Sequence, residues 1–223
     1  AELAMFYAWL GFSLYSAGKA KKSYEYLSKA LKTGEEIQDQ KIIGYACTWI
    51  TWTCADLGVL DEAIAFGQKA QRISRSFETD QYLYFKSLAG LGYAYYHRGE
   101  TKMTLEVGKA LLDYGEKHSN IRSLVMGHLG IGLSCMLRGD FHSAIERTEI
   151  ATRLAVDPLY SQMSKILLGG SYLFTNQFDM AETALEEVLT YSEKFGAGGL
   201  KLVASLFMGV LLIAKGQMSQ GLE

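Results

Sequence analysis

Chemistry in this 223-residue chain could start from four histidines, three cysteines, a few acidic pairs and some glycine-lysine steps. A zinc site carried on one helix uses histidines a turn apart, and His97, His118, His128 and His142 offer no His-Glu-x-x-His or comparable spacing. Redox or metal use of thiols favours Cys-x-x-Cys, whereas Cys47 and Cys54 are seven residues apart and Cys135 stands alone. A phosphate cradle needs a turn in which Gly-Lys is followed by a hydroxyl. Gly18-Lys19-Ala20 and Gly108-Lys109-Ala110 place alanine there, and Gly90-Leu91-Gly92 and Gly130-Ile131-Gly132 lie inside stretches of helical periodicity. Glu186-Glu187 belongs to a polar helix face with no apolar pocket to split the two pKa values. These residues predict no catalytic, cofactor-binding or metal-ligating site, and no enzyme within the chain.

The elements that carry them explain why. Gly18, Gly58, Gly99, Gly139, Asn176 and Gly216 recur at spacings of 40, 41, 40, 37 and 40, each between two stretches of helical apolar periodicity. Glycine, and next best asparagine, suits a helix stop with left-handed backbone, so the six read as helix ends in register. Five residues after each stop stands a small residue: Ser23, Ala63, Thr104, Ala144, Ala181 and Gly221. Seven residues before each stop stand Gly11, Thr51, Gly92, Gly132, Gly169 and Gly209. Glycine inside a helix costs about 1 kcal/mol relative to alanine, a cost that only close packing offsets. The register predicts first helices near 3–17, 41–57, 81–98, 121–138, 159–175 and 199–215. Second helices fall near 20–37, 61–77, 101–117, 141–154 and 178–195, and Gly196-Ala197-Gly198-Gly199 reads as the turn before the sixth repeat. No stretch alternates with period two, so no sheet is expected.

The pattern resembles the tetratricopeptide repeat: a large residue, Leu-Gly, Tyr, a small residue and an aromatic over a helix-turn-helix. Tyr7, Leu10, Gly11, Leu14, Ser23, Leu27 and Ala30 give the first copy. Leu88, Leu91, Gly92, Tyr95 and Thr104 give the third, and Leu168, Gly169, Tyr172, Ala181 and Leu185 the fifth. The copies run about six residues longer than the usual 34, and Pro158 is the only proline. Longer repeats of this kind are similar to those of signalling scaffolds, including arrays attached to bacterial cyclase and ATPase regulators. The resemblance implies an all-α fold, an α–α superhelix (solenoid) of about five to six repeats. Residues 1–223 are expected to form a single such array, with repeats near 1–40, 41–80, 81–120, 121–157, 158–198 and a partial 199–223.

Composition narrows the partners. With 22 basic and 24 acidic residues the net charge is −2, which gives no field attractive to nucleic acid, and Lys19, Lys21 and Lys22 share a helix with Glu25, Glu35 and Glu36. The longest uncharged apolar run, Leu202 to Ala214, is too short for the roughly 20 residues that span a bilayer. No membrane partner is therefore expected. The three cysteines read as buried thiols of a reducing, cytoplasmic environment. Because the chain opens inside a first helix and closes soon after a second has begun, the array is expected to be part of a longer regulatory protein.

In tetratricopeptide arrays the first helices line the concave surface. The resemblance carries that role onto Phe12, Tyr15, Tyr45, Trp52, Lys86, Tyr93, Tyr96 and His97, and further along onto Met126, Leu133, Met136 and Met163. Only Asp56 and Lys86 carry a full charge in these rows, so the clamp that holds acidic C-terminal tails is missing. Ala8, Phe12, Thr48 and Trp52 stand where that clamp has lysine, asparagine and arginine. The expected function is protein–protein interaction, a groove taking a peptide or protein segment with apolar anchors. Two alternatives stay open: self-association or docking through exposed repeat ends, as a homo-oligomer or within a longer chain, and sensing of a small apolar ligand or signalling peptide. No cofactor is expected.

Overall fold

In a computed structural model, which describes residues 1–77 and 79–221, the described residues form helices joined by turns, with no strand among them. The last two residues of the predicted sixth repeat lie outside the described residues. The described residues form two compact units, Ala1–Leu111 and Leu112–Glu223. The first holds α1 (Glu2–Ser16), α2 (Ala20–Glu36), α3 (Gln40–Asp56), α4 (Leu60–Ser74), α5 (Gln81–His97) and the start of α6 (Thr101–His118). The second holds the rest of α6, then α7 (Ile121–Leu137), α8 (Phe141–Leu154), α9 (Pro158–Phe174), α10 (Phe178–Phe195), α11 (Gly198–Ala214) and the single turn α12 (Met218–Gly221).

The stops act as their residue types dictate. Gly18, Gly58, Gly99, Gly139, Asn176 and Gly216 all have positive φ, from 58° at Asn176 to 81° at Gly216. Beyond each stop the next N–H reaches back to a carbonyl five residues earlier, as in Lys19 to Leu14 at 2.8 Å and Gln177 to Tyr172 at 2.9 Å. These bonds satisfy carbonyls that the helix end would otherwise leave open. The far ends of α2, α6 and α10 use Gln38, Ser119 and Gly196 in the same conformation. Helix α4 ends earlier than its periodicity predicts, at Ser74, where Ser74 Oγ, Gln71 Nε2 and Ser87 Oγ form a buried hydrogen-bond knot.

Helix starts use acceptors. Asp39 takes the N–H groups of Lys41 and Ile42, and Asp80, Asn120 and Asp157 take those of Leu83, Ser123 and Leu159 at 3.0–3.1 Å. Each such cap stabilises a helix by about 1 kcal/mol.

Within a pair the helices meet at the glycine seven residues before the stop. A Cβ on Gly11 would stand 2.5 Å from Leu27 Cγ, one on Gly169 2.9 Å from Leu185 Cγ, and one on Gly92 2.7 Å from Val107. The second pair reverses the sizes: Thr51 occupies the first-helix position and Gly67 the second, where a Cβ would stand 3.1 Å from the Thr51 methyl. Ser23 Oγ, buried at the crossing, donates to the Gly11 carbonyl at 2.8 Å. Helix α3, packed against α1, α2, α4 and α5, is buried at every position from Ile42 to Ala55.

Gly169→Ala should lower the urea midpoint by about 1–3 kcal/mol of stability, because the methyl displaces Leu185 at a full crossing. Gly139→Ala should cost about 1–2 kcal/mol for a different reason, its left-handed backbone with open space around it. Gly139→Asn, the residue type of the fifth stop, should recover most of that loss, whereas asparagine at 169 should recover none.

Candidate functional site

In the first unit, α1, α3 and α5 lie side by side, and their facing rows are aromatic. Phe12 stacks on Trp49 with centroids 4.0 Å apart, Trp52 stacks on Tyr93 at 4.7 Å, and Tyr15 meets Trp52 edge-on at 6.4 Å. Lys86 Nζ hangs 5.2 Å from the Trp49 ring and 5.1 Å from the Trp52 ring, an arrangement favourable for a cation over indole faces. Trp52 Nε1 points to the Lys86 carbonyl at 3.5 Å. Aromatic bulk thus fills the space between first helices, and the polar ends of the rings emerge beyond it.

Those polar ends gather around two acids. Tyr93 O–H donates to Asp56 at 2.8 Å, and His97 lies edge-on to Tyr93 at 4.4 Å and to Tyr96 at 5.3 Å. Burial first, and the Asp56 carboxylate beside it, pushes the Tyr15 phenol well above its ordinary range. Burial likewise raises Tyr93, with Tyr15 and Asp56 adding to the shift, so both phenols stay protonated donors at neutral pH. At the opposite end of the same helices, Tyr45 O–H donates to both Asp80 oxygens at 3.1 Å, and Lys41 Nζ stands 3.1 Å from Asp80. Burial works to raise the Asp80 carboxyl, but the Leu83 N–H, Lys41 and Tyr45 outweigh it and hold the group below the usual carboxylate range.

The twelve residues expected to line a groove divide by exposure. Tyr45, Trp52, Lys86 and Met126 are buried, Trp52 at 3% exposure. Little of their surface reaches solvent, and Tyr15 and Tyr93 lie against the Trp52 ring. Phe12, Tyr15, Tyr93 and Tyr96 in the first unit, and Leu133, Met136 and Met163 in the second, keep part of their surface in solvent, while His97 is exposed. The row that faces solvent most fully is the one two residues before the stops: Asp56 and His97 in the first unit, Leu137 and Phe174 in the second.

Several participants escaped the sequence reading. Trp49 and Tyr82, which join Trp9 and Tyr45 in one ring cluster, stand nine residues before the second stop and at the start of α5. The caps Asp39, Asp80, Asn120 and Asp157 were legible as an Asx residue 18–22 residues after each of the first four stops. The three thiols are free and buried; burial raises Cys47 and Cys54 to about 12, too high for a thiolate nucleophile. His118 closes α6 and does not sit in the turn after it, and its ring packs on Tyr114 at 4.3 Å. Among the described residues no three His, Cys, Asp or Glu side chains come together as a metal site, and no helix is long and apolar enough to cross a membrane.

No protein-family model matches the chain, and no curated protein matches it by sequence. Among solved structures the chain is similar to TTC0263, a thermophilic TPR protein of Thermus thermophilus, with a TM-score of 0.67 and 21% sequence identity. That match covers 94% of this chain and 99% of the other. The chain thus has the all-α fold of tetratricopeptide-type helix pairs.

Burial and exposure predict opposite outcomes for two neighbours in the row. Trp52→Ala should cost about 3–5 kcal/mol in a denaturant melt, whereas exposed His97→Ala should stay within about 0.5 kcal/mol of the parent. The Asp80 knot makes a separate prediction in pH. Its carboxyl is depressed in the folded state, so its contribution is complete above the unfolded value near 3.9 and is lost as pH falls through the lower folded value. Asp80→Asn should flatten that acid limb in melts taken across pH.

Proposed function

We propose that the chain is a non-enzymatic protein-interaction module that takes an apolar or amphipathic segment of another protein on the first-helix face of its first unit. The observation that carries this reading is the combination on one face of partly exposed Tyr15, Tyr93 and Tyr96 with an exposed acid, Asp56. Rings whose bodies are fixed by stacking and whose tips donate hydrogen bonds lose little entropy on contact, which is why such residues concentrate binding energy. The near absence of basic side chains in these rows favours apolar anchors over acidic tails. Partly exposed Phe12 extends the face onto α1, so an extended segment or one helix of a few turns would cover it.

Selection from a displayed library of random peptides against the 223-residue chain tests the reading. The expected winners carry leucine, phenylalanine or tryptophan at helical or alternating spacing. Their affinity should fall at least about tenfold with Tyr96→Ala plus His97→Ala, and should not change with Leu206→Glu, which lies in the other unit. Winners that end in acidic carboxylates, or affinities indifferent to Tyr96 and His97, would overturn the assignment.

A further inference from the structure

Two pairings of tyrosine with aspartate stand at opposite ends of the first-helix face of the first unit, and they differ in one component. Where α3 and α5 begin, Tyr45 O–H donates to both Asp80 oxygens at 3.1 Å, and Lys41 Nζ, 3.1 Å away, supplies a cation from within the chain. Where the same helices end, Tyr93 O–H donates to Asp56 at 2.8 Å and the Tyr15 phenol stands beside the same carboxylate. Here the cation is missing. Among the described residues no lysine or arginine pairs with Asp56: Lys86 lies buried over the Trp49 and Trp52 rings, and Arg98 is held by Asp61 at 2.6 Å and Glu100 at 3.2 Å. His97 is near enough to act on Asp56, but desolvation among the rings holds its imidazole below the ordinary value, so it is mostly neutral at neutral pH.

The acid is also badly placed on its own account. Asp56 is the last residue of α3, and Tyr15 and Tyr96 lie in the last turns of α1 and α5, so three helix C-termini gather around one carboxylate. Each such end carries a partial negative charge that disfavours an acid and favours a cation. The titration follows: the Asp80 carboxyl is lowered, whereas desolvation outweighs Tyr93, His97 and Tyr15 and raises the Asp56 carboxyl. Helix α3 has α1 on one side and α5 on the other, so the exposure of Asp56 belongs to the face itself.

We propose that Asp56 is the subsite for an arginine of the bound segment, whose guanidinium pairs with the carboxylate and lies against the exposed parts of Tyr15, Tyr93 and Tyr96. The inference rests on the reading that this face takes a segment of another protein, and it adds one charged residue to the apolar anchors. Charge complementarity selects the occupant: the face offers one exposed carboxylate, donors that stay neutral, and no cation of its own to be displaced. A guanidinium suits it better than an ammonium. Its planar fork gives two parallel N–H donors to a carboxylate and stacks on phenol rings, whereas the lysine head is a compact, strongly hydrated charge. Such a pair at the edge of an apolar contact fixes the register and direction of the segment.

The probes are the peptides selected from the random library, resynthesised with a fluorophore, and affinity is read by anisotropy. They are expected to carry arginine beside an apolar anchor or one helical turn from it. Asp56→Asn, which keeps an acceptor for Tyr93, should weaken them at least about tenfold with the parent's circular dichroism. Replacing the peptide arginine by citrulline should cost as much, and the Asp56→Asn protein should no longer tell the two peptides apart. Asp56→Ala gives the same comparison if the asparagine variant loses helicity. Peptides that need Tyr96 and His97 yet carry no basic residue, or that ignore Asp56→Asn, would overturn the arginine subsite and leave the binding face standing. Lysine in place of arginine throughout would overturn the choice of guanidinium. If no peptide is selected, or affinities are indifferent to Tyr96 and His97, the binding face itself fails and the subsite falls with it.

Discussion

Everything else in this protein depends on how closely two helices of a pair can approach at one point. At that point one side must have almost no side chain, and the chain provides this with Gly11, Gly92, Gly132 and Gly169 on first helices and with Gly67 on the one second helix that faces a threonine. Where the glycine stands, a leucine, valine or threonine of the partner enters the space, so dispersion contacts and burial offset the roughly 1 kcal/mol that glycine costs a helix. The close crossing fixes the angle of the pair. The angle fixes which rows look toward the previous pair, which look toward the next and which are left to solvent.

That division decides what the molecule has available for function. In the first unit the row six residues before the stop is divided: Trp52 lies under Tyr93 and against the backbone at Gly90, while Phe12 and Tyr93 of the same row keep part of their surface in solvent. What reaches solvent there is part of Phe12, Tyr15, Tyr93 and Tyr96, with Asp56 and His97 beside them. The cysteines and the buried polar residues of α3 follow the same logic. Thr48, Thr51 and Thr53 return their hydroxyls to carbonyls four residues back at 2.8–2.9 Å, which lets a helix buried on all sides carry hydroxyls without leaving them unpaired.

The sequence made the array legible because its strongest signals are backbone requirements. A left-handed stop admits few residue types, so Gly18 to Gly216 announced themselves, and the helix limits followed to within a residue or two except at Ser74. Side-chain destinations were less legible. Tyr45, Trp52 and Lys86 sit at positions whose exposure depends on the bulk supplied by a neighbouring helix some 40 residues away, and no local pattern reports that bulk. Gly90 shows the difficulty. Its glycine could have been a turn, a ligand cradle or a weak helical position, and it proves to be the space that the Trp52 indole enters. The caps Asp39, Asp80, Asn120 and Asp157 were within reach, since they keep their own register beside the stops.

The most direct test of the crossing is to rebuild one pair in the style of another. Gly11→Thr together with Leu27→Gly gives the first pair the arrangement that Thr51 and Gly67 have in the second. If space at the crossing is what the pair shares, the two changes compensate. Chemical denaturation of parent, singles and double should then give a double whose loss is smaller than the sum of the single losses by about 1 kcal/mol or more. Strict additivity of the two losses would contradict the account, because it would mean that the glycine and the residue facing it act independently.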